Sequence, residues 1–334
     1  MSLRLLESFD WSTTASQYNM KYQSTVVPGS IVAGRTGNCI RDNNWQIILT
    51  RKDTWIVGFA AKLRLAGGNV NMCWLCDANS PQIRVDFNGI TGVVSIFRGG
   101  TFLGVGAVFL GSTVTPLPMM INQWYHVQVK VVIANGVAGS VEVRINGLTA
   151  LNLLGIDTQA TANAWADQYY FGTGWLDTDD LWLCDGDGAA PYNDFLGDLA
   201  IHNLRPNGVG DLSAWAPSAG ANWQCVDEIP PDLDVTYVAS AVVGNIDTYN
   251  FEDIGLPGTV RGVQVNVLAR KDDAGVRTLR PVYRQGGANF VGVNDTLNIT
   301  YKTTRMVMQV DPATGADWLP ADVDSAQFGE ELTA

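Results

Sequence analysis

Short runs in which apolar and polar residues alternate recur along most of the chain. Gln82-Ile-Arg-Val-Asp-Phe87 places Ile83, Val85 and Phe87 on one face, and Trp124–Ile133 and Ser140–Ile145 repeat the pattern. A period of two is the mark of a half-buried β-strand. Trp55–Leu65 is rich in β-formers and alternates in its second half, while Val93–Arg98 and Thr101–Leu110 read as two more strands. Asn88-Gly89 and Asn146-Gly147 supply tight turns, and Gly99-Gly100 breaks the pattern between strands. No stretch of helical period stands out. Closely spaced strands with Gly and Asn turns predict a sandwich or barrel.

The texture changes near residues 206–235. Pro206-Asn-Gly-Val-Gly210 opens this region and a stretch ending in Pro230-Pro-Asp-Leu-Asp234 closes it. Paired prolines disfavour helix and interrupt strand pairing, which predicts a linker. Trp215 and Trp223 within it predict that it packs on a domain. Alternation then resumes. Gly258–Arg270 puts Val263, Val265 and Val267 on one face, Lys271-Asp-Asp-Ala-Gly275 is a turn, and Arg277–Arg284 reads as the returning arm of a hairpin. Thr303–Val310 is another strand. The expected organisation is a domain over 1–206, a linker over 207–235 and a smaller β domain over 236–334.

Composition narrows the function classes. The 334 residues carry 21 Lys and Arg against 33 Asp and Glu, a net charge of −12. Up to residue 206 the counts are 13 and 16, and beyond it 8 and 17, so the acidity is concentrated in the C-terminal part. Such a surface repels phosphates, which argues against a nucleic-acid partner. No basic run suits an anionic membrane, and no apolar run suits a membrane span or a signal peptide. Five cysteines at irregular spacing do not make a disulfide framework. Cys73-Trp-Leu-Cys76 lacks the second ligand pair of a zinc site and reads as strand residues.

An ordered set of segments resembles the concanavalin A-like (laminin G-like) jelly-roll family over residues 1 to about 205. These are Phe9-Asp10, Arg35–Ile40, Trp55–Phe59, Asn122-Gln-Trp-Tyr-His-Val127, Val143-Arg-Ile-Asn-Gly147 and a closing strand at Phe195–Ile201. The chain as a whole resembles a tailed-bacteriophage virion protein, through Asp179–Asp185, Asn193–Asp198, Val263–Gly275 and Asp311–Trp318. The resemblance implies an all-β protein, with an N-terminal concanavalin A-like jelly-roll sandwich followed by a smaller C-terminal β-sandwich. It also implies a structural or host-contact role on a particle, with synthesis in the host cytoplasm. The expected partners are other copies, a homotrimer by analogy, and a major virion protein.

The candidate chemistry is sparse. Glucanases of this superfamily carry E-x-D-x-E on one strand, where period two places the acids on one face. That motif is absent, and Glu142 has no acidic residue two or four positions away. His126 and His202 are the only histidines, and no G-x-S-x-G or phosphate-binding loop occurs. The expectation is therefore a protein without catalytic activity. Two local features suggest ligands. Trp165, Trp175 and Trp182 offer aromatic faces to a sugar, or else belong to the core and to subunit contacts. Asp177, Asp179, Asp185 and Asp187 alternate with turn residues and could supply oxygens to Ca²⁺, or else form a solvated acidic loop. Calcium is the only cofactor suggested. The leading expectation is a virion structural protein, a head decoration or a tail or fibre component. The alternatives are an adhesin for host-surface glycan, or a glycan-degrading enzyme.

Overall fold

The computed structural model describes residues 2–22, 30–41, 46–65, 67–102, 104–117, 119–173 and 175–334. The chain divides into two compact units, Met1–Ile201 and His202–Ala334.

The described residues of the first unit form fourteen strands. They are β1 (Leu3–Glu7), β2 (Ser30–Ala33), β3 (Asn38–Arg41), β4 (Gln46–Lys52), β5 (Thr54–Leu63), β6 (Asn69–Asp77), β7 (Ser80–Asn88), β8 (Val93–Arg98), β9 (Val108–Ser112), β10 (Trp124–Val132), β11 (Gly139–Ile145), β12 (Leu148–Ile156), β13 (Ala166–Thr173) and β14 (Leu176–Asp185). Two antiparallel sheets result. One is eight-stranded in the order β12-β11-β10-β5-β14-β3-β2, with β1 also paired to β14; the other is six-stranded in the order β4-β13-β6-β7-β8-β9.

The core lies between the two sheets. The alternating residues seen in the sequence point into it: Val57, Phe59 and Ala61 from β5, Val127, Val129 and Val131 from β10, and Ile83, Val85 and Phe87 from β7. Burying each larger side chain contributes about 1.5–3 kcal/mol. Asn146 and Gly147 turn the chain from β11 to β12 with φ of 49° and 79°. This left-handed pair matches the twist of a two-residue hairpin.

Three local expectations for this unit are corrected. The predicted strand Thr101–Leu110 is a glycine-rich loop as far as Ala107, and pairing begins only at Val108; its Leu103 lies outside the described residues. Gly99, Gly100, Gly104 and Gly106 all adopt positive φ, which a strand does not accommodate. The predicted closing strand Phe195–Ile201 is irregular chain. A helix, α1 (Ala15–Tyr22), appears where none was expected. Its apolar periodicity is weak, and polar contacts hold it instead. The side chain of Gln17 accepts the N–H groups of Thr13 and Thr14, Lys21 pairs with the buried Glu7 at 2.5 Å, and Tyr22 donates to the same carboxylate.

The second unit is also β. Its elements are β15 (Pro206–Ser213), β16 (Ala216–Pro217), β17 (Val238–Ala239), β18 (Ile246–Phe251), β19 (Val263–Ala269), β20 (Thr278–Gln285), β21 (Ala288–Val291), β22 (Asp295–Thr296), β23 (Lys302–Met308), the short helix α2 (Pro320–Asp324) and β24 (Gln327–Leu332). The main sheet runs β15-β18-β24-β20-β21 with β22 on β20, and β19 pairs with β23. Val265 and Met308 from the β19–β23 pair bury with Tyr283 and Phe328 of the main sheet and with Trp318. Tyr283 stacks on Phe328 with centroids 5.6 Å apart. The expected fold class, all-β throughout, is the one observed.

Two expectations fail here. The segment read as a linker begins inside a strand: β15 pairs with β18 along the edge of the main sheet. Trp215 beyond it is tied down by its indole N–H, which donates to Asn245 O at 3.1 Å. Nor do β19 and β20 form a hairpin. β19 pairs with β23, while β20 pairs with β24, β21 and β22.

Candidate functional site

The structure does not bring the predicted site residues together. Trp182 is fully buried, with its ring over Gly58, where an added Cβ would lie 2.1 Å from the indole. It sits on the outer face of the eight-stranded sheet, and the chain beyond β14 runs over that face. Lys130 Nζ donates to Asn193 O at 3.1 Å, Gly197 N to Gln128 Oε1 at 3.2 Å and Ile201 N to Asp180 Oδ1 at 2.8 Å, while Arg144 stacks on Phe195. Trp175 is half-exposed beside Arg64, and Trp165 lies under Arg51. The three tryptophans share no surface.

The acidic residues are separated in the same way. The Asp177 carboxylate is buried and held by Arg41 at 2.8 Å, Arg64 at 3.1 Å and Lys62 at 3.2 Å. Asp185 is paired with Arg4, and the exposed Asp187 with Lys52. Asp179 accepts from Arg35 N at 2.7 Å and Asp180 N at 2.8 Å. Burial, and then the neighbouring Asp180, push its carboxyl up to about 8. The bulge in β14 between Asp179 and Trp182, with Asp180 at φ 49°, turns these acids away from one another. Calcium needs six to eight converging oxygens. Among the described residues no three Asp, Glu, His or Cys side chains gather as a metal site, so the expected calcium residues do not fit the ion.

His126 is buried on the outer face of the eight-stranded sheet, where burial lowers its ring to about 4. Cys73 faces the core, and Cys76 belongs to a separate cluster with Trp74 and Tyr170 on the other side of the same sheet.

That second cluster lies in the most developed site of the unit, on the outer face of the six-stranded sheet. Strand register builds it. Gln46 on β4 is opposite Tyr170 on β13, and Tyr170 is opposite Trp74 on β6. Trp74 is opposite Arg84 on β7, Arg84 opposite Phe97 on β8, and Phe97 opposite Phe109 on β9. One row of side chains therefore crosses all six strands. At a neighbouring-strand spacing of about 4.8 Å the row is about 24 Å long. A polar row runs beside it, in which Asn71 Nδ2 donates to Asp86 Oδ1 at 3.0 Å and Asp86 faces Ser95.

Within the aromatic row, Arg84 lies 4.5 Å above the Phe97 ring and 3.0 Å from Asp86. Burial raises the Asp86 carboxyl against the pull of Arg84 and Asn71. The Tyr170 hydroxyl donates to Asn79 Oδ1 at 2.7 Å and also meets Gln46; burial pushes it up to about 12. Among the described residues the Trp74 indole N–H is buried without a hydrogen-bond partner. An unpaired buried donor costs about 1–3 kcal/mol, so it is a feature that calls for an explanation. Phe109 at the far end of the row is 57% exposed, whereas Trp74 and Tyr170 are 1% and 8% exposed.

Sequence reasoning missed Trp74, Arg84, Asp86 and Tyr170. A signal was present in Gln82–Phe87, where Arg84 and Asp86 occupy the face opposite Ile83, Val85 and Phe87. They looked like ordinary solvated positions, because the register that lines them up with aromatics from four other strands is set between strands.

No protein-family description matches the chain, and no curated protein matches it in sequence. Solved structures do resemble it in chain course. The marine PL-14 alginate lyase from Aplysia kurodai is 10% identical, with 55% of this chain and 99% of that one covered at a TM-score of 0.40. Domain 4 of AbnA, a GH43 extracellular arabinanase from Geobacillus stearothermophilus, in complex with arabinotriose, is 15% identical over 55% and 92% at 0.38. The Caenorhabditis elegans galectin LEC-6 is 10% identical over 43% and 91% at 0.32. Polysaccharide lyases thus stand beside a lectin among the similar structures. The expectation of a protein without catalytic activity is withdrawn, because an alginate lyase is among the structures that the chain resembles.

Proposed function

We propose that the outer face of the six-stranded sheet binds a carbohydrate chain laid across the strands. The observation that carries this reading is the single row Tyr170–Trp74–Arg84–Phe97–Phe109, flanked by Asn71, Asp86 and Ser95. A sugar ring has an apolar face of C–H groups and a rim of hydroxyls. Aromatic side chains match the first, and a few placed polar groups match the second. A row crossing the strands suits an extended polymer better than a compact ligand. The unpaired Trp74 N–H is a donor ready for a hydroxyl.

The test is calorimetric titration of the full chain with alginate and arabinan oligosaccharides, one acidic and one neutral glycan. The length of each probe is followed over the same hours, so that cleavage registers as well as binding. Saturable binding lost in Arg84→Ala and kept in Trp175→Ala supports the reading; equal binding by both variants refutes it. The virion reading rests on the sequence resemblance alone. In it the particle carries this glycan-contacting face, with copies of the chain joined as a homotrimer on a major virion protein. Co-sedimentation with particles tests it.

A further inference from the structure

The aromatic row is exposed at its Phe109 end and buried from Arg84 to Tyr170. Phe102 sits over the Trp74–Tyr170 end of the buried part. Its ring centroid lies 4.7 Å from that of Tyr170 and 5.6 Å from that of Trp74, edge-on to the latter. It is itself 37% exposed, with one side on the cluster and the other toward water. Beneath it Trp74, Cys76 and Tyr170 are buried, although they project from the outside of the sheet.

The segment that carries Phe102 is shaped by its own bonds. Thr101 N donates to Val105 O at 3.0 Å, Gly104 N to Thr101 O at 2.7 Å, and Ala107 N to Gly104 O at 3.3 Å. Val105 N donates to Thr101 Oγ1 at 3.2 Å. Among the described residues it is joined to β7 by Gly99 N on Gln82 O, a long bond of 3.3 Å. Gly99 and Gly100 stand at one end and Gly106 at the other, all at positive φ. A loop bonded to itself and flanked by glycines can move as a unit. Its closed position is marked by Gly104, where an added Cβ would come within 2.9 Å of Arg84 Nη1.

We infer that Phe102 is an internal occupant of the glycan-binding face, an aromatic plug that keeps the Trp74–Tyr170 end of the row closed until the loop swings away. The inference rests on the glycan reading of that face and adds its regulation. Phe102 holds the place a sugar ring would take on Tyr170 and Trp74, but it has no hydroxyl to offer the Trp74 N–H, which has no partner among the described residues. Ligand and plug compete for one surface. The apparent affinity is lowered by the fraction of molecules that are closed.

Cys76 gives a readout that needs no ligand. It is fully buried in the covered cluster, while Cys73, three residues away, is buried in the core. The full chain is treated with iodoacetamide, and alkylation at each cysteine is timed by peptide mass spectrometry. Cys76 is expected to react faster than Cys73 in the native protein. Phe102→Ala should speed Cys76 alone, by about tenfold, and tighten binding of alginate or arabinan oligosaccharide by a similar factor. Gly104→Ala, which disturbs the closed seat and leaves every aromatic in place, should also speed Cys76. Equal rates at Cys76 and Cys73, unchanged in both variants, overturn the plug, because the face then opens only when the unit unfolds. Cys76 freed in Phe102→Ala, with neither glycan bound by any form, overturns the glycan reading and leaves the loop motion standing.

Discussion

In the second unit, Glu330 gives a signed pH prediction. It lies on β24 directly opposite Asp247 on β18, with Pro281 of β20 on its other side. Both carboxyl groups are buried. Neither is among the acids with a cationic partner in the ion pairs of the described residues; Arg280 pairs instead with Glu331. The Tyr249 hydroxyl donates to Glu330 Oε1 at 2.7 Å and lies 3.3 Å from Asp247 Oδ2. Asp247 is occupied by the N–H of Trp215 at 2.7 Å, by that of Ala214 and by the Asn222 amide. Burial is the main cause, and Asp247 a lesser one, that raises Glu330 from 4.5 to about 8.

In the unfolded chain the glutamate ionises through its ordinary value, while in the folded unit it keeps its proton to about pH 8. The folded state therefore binds the extra proton across that interval, and stability falls as pH rises through it. At about 1.4 kcal/mol per pH unit the whole loss is on the order of 4–5 kcal/mol. It is absent below the unfolded value and complete above the folded one. Glu330→Gln keeps an oxygen for Tyr249 and cannot ionise. Calorimetry of the full chain between about pH 5 and about 9 should show the wild-type transition of this unit falling steeply and that of the variant falling little, with the variant the more stable form at the alkaline end. Parallel slopes for the two proteins would falsify the argument, as would a variant less stable at every pH.

Other outcomes follow from contacts in the first unit. Gly58→Ala should lower its stability by about 3 kcal/mol or more, read by urea denaturation, because the new methyl meets the buried Trp182 ring at 2.1 Å in a packed site. Asp177→Asn strands Arg41, Lys62 and Arg64 around a neutral amide and should cost about 3 kcal/mol in the same assay. Chelator and added Ca²⁺ should both leave the melt unmoved, since the acids once grouped as calcium ligands are engaged by arginines, lysines and backbone N–H groups; a shift of several degrees would restore the ion. Trp165→Ala should leave glycan titrations unchanged, because that indole lies off the row that crosses the sheet.

Where alternation has one solvent-side and one core-side partner, the strands are legible from the residues alone. β7, β8, β10 and β11 fall within one or two positions of their expected limits. Alternation identifies a strand and its inward face but carries no information about which strand lies beside it, and the proposed binding row is a matter of neighbours. Trp74 meets Tyr170 on β13 and Arg84 on β7 through register alone. The same limit produced the errors. Asp177, Asp179, Asp185 and Asp187 are close in the chain, so they read as one cluster, yet their partners Arg41, Arg35, Arg4 and Lys52 arrive from distant segments and draw them apart. Thr101–Leu110 has the apolar content of a strand, but its glycines take the left-handed conformation and turn it into a loop.

The two outer faces of the sandwich in the first unit show why the proposed binding is assigned to one of them. Both carry buried aromatics, Trp182 on one and Trp74 with Tyr170 on the other. Over Trp182's face the chain from 186 to 201 is fastened to several strands, through Lys130, Gln128, Asp180 and Arg144. Lifting it would break several hydrogen bonds at once, each worth about 1 kcal/mol and more where a charge takes part. Over Trp74's face the cover is Phe102, held among the described residues by aromatic contacts with Trp74 and Tyr170 of about 0.5–1.5 kcal/mol each beyond the area they bury. A ligand that stacks as well as Phe102 and also satisfies the Trp74 N–H has the advantage there, whereas no ligand of ordinary affinity could displace the cover on the other face.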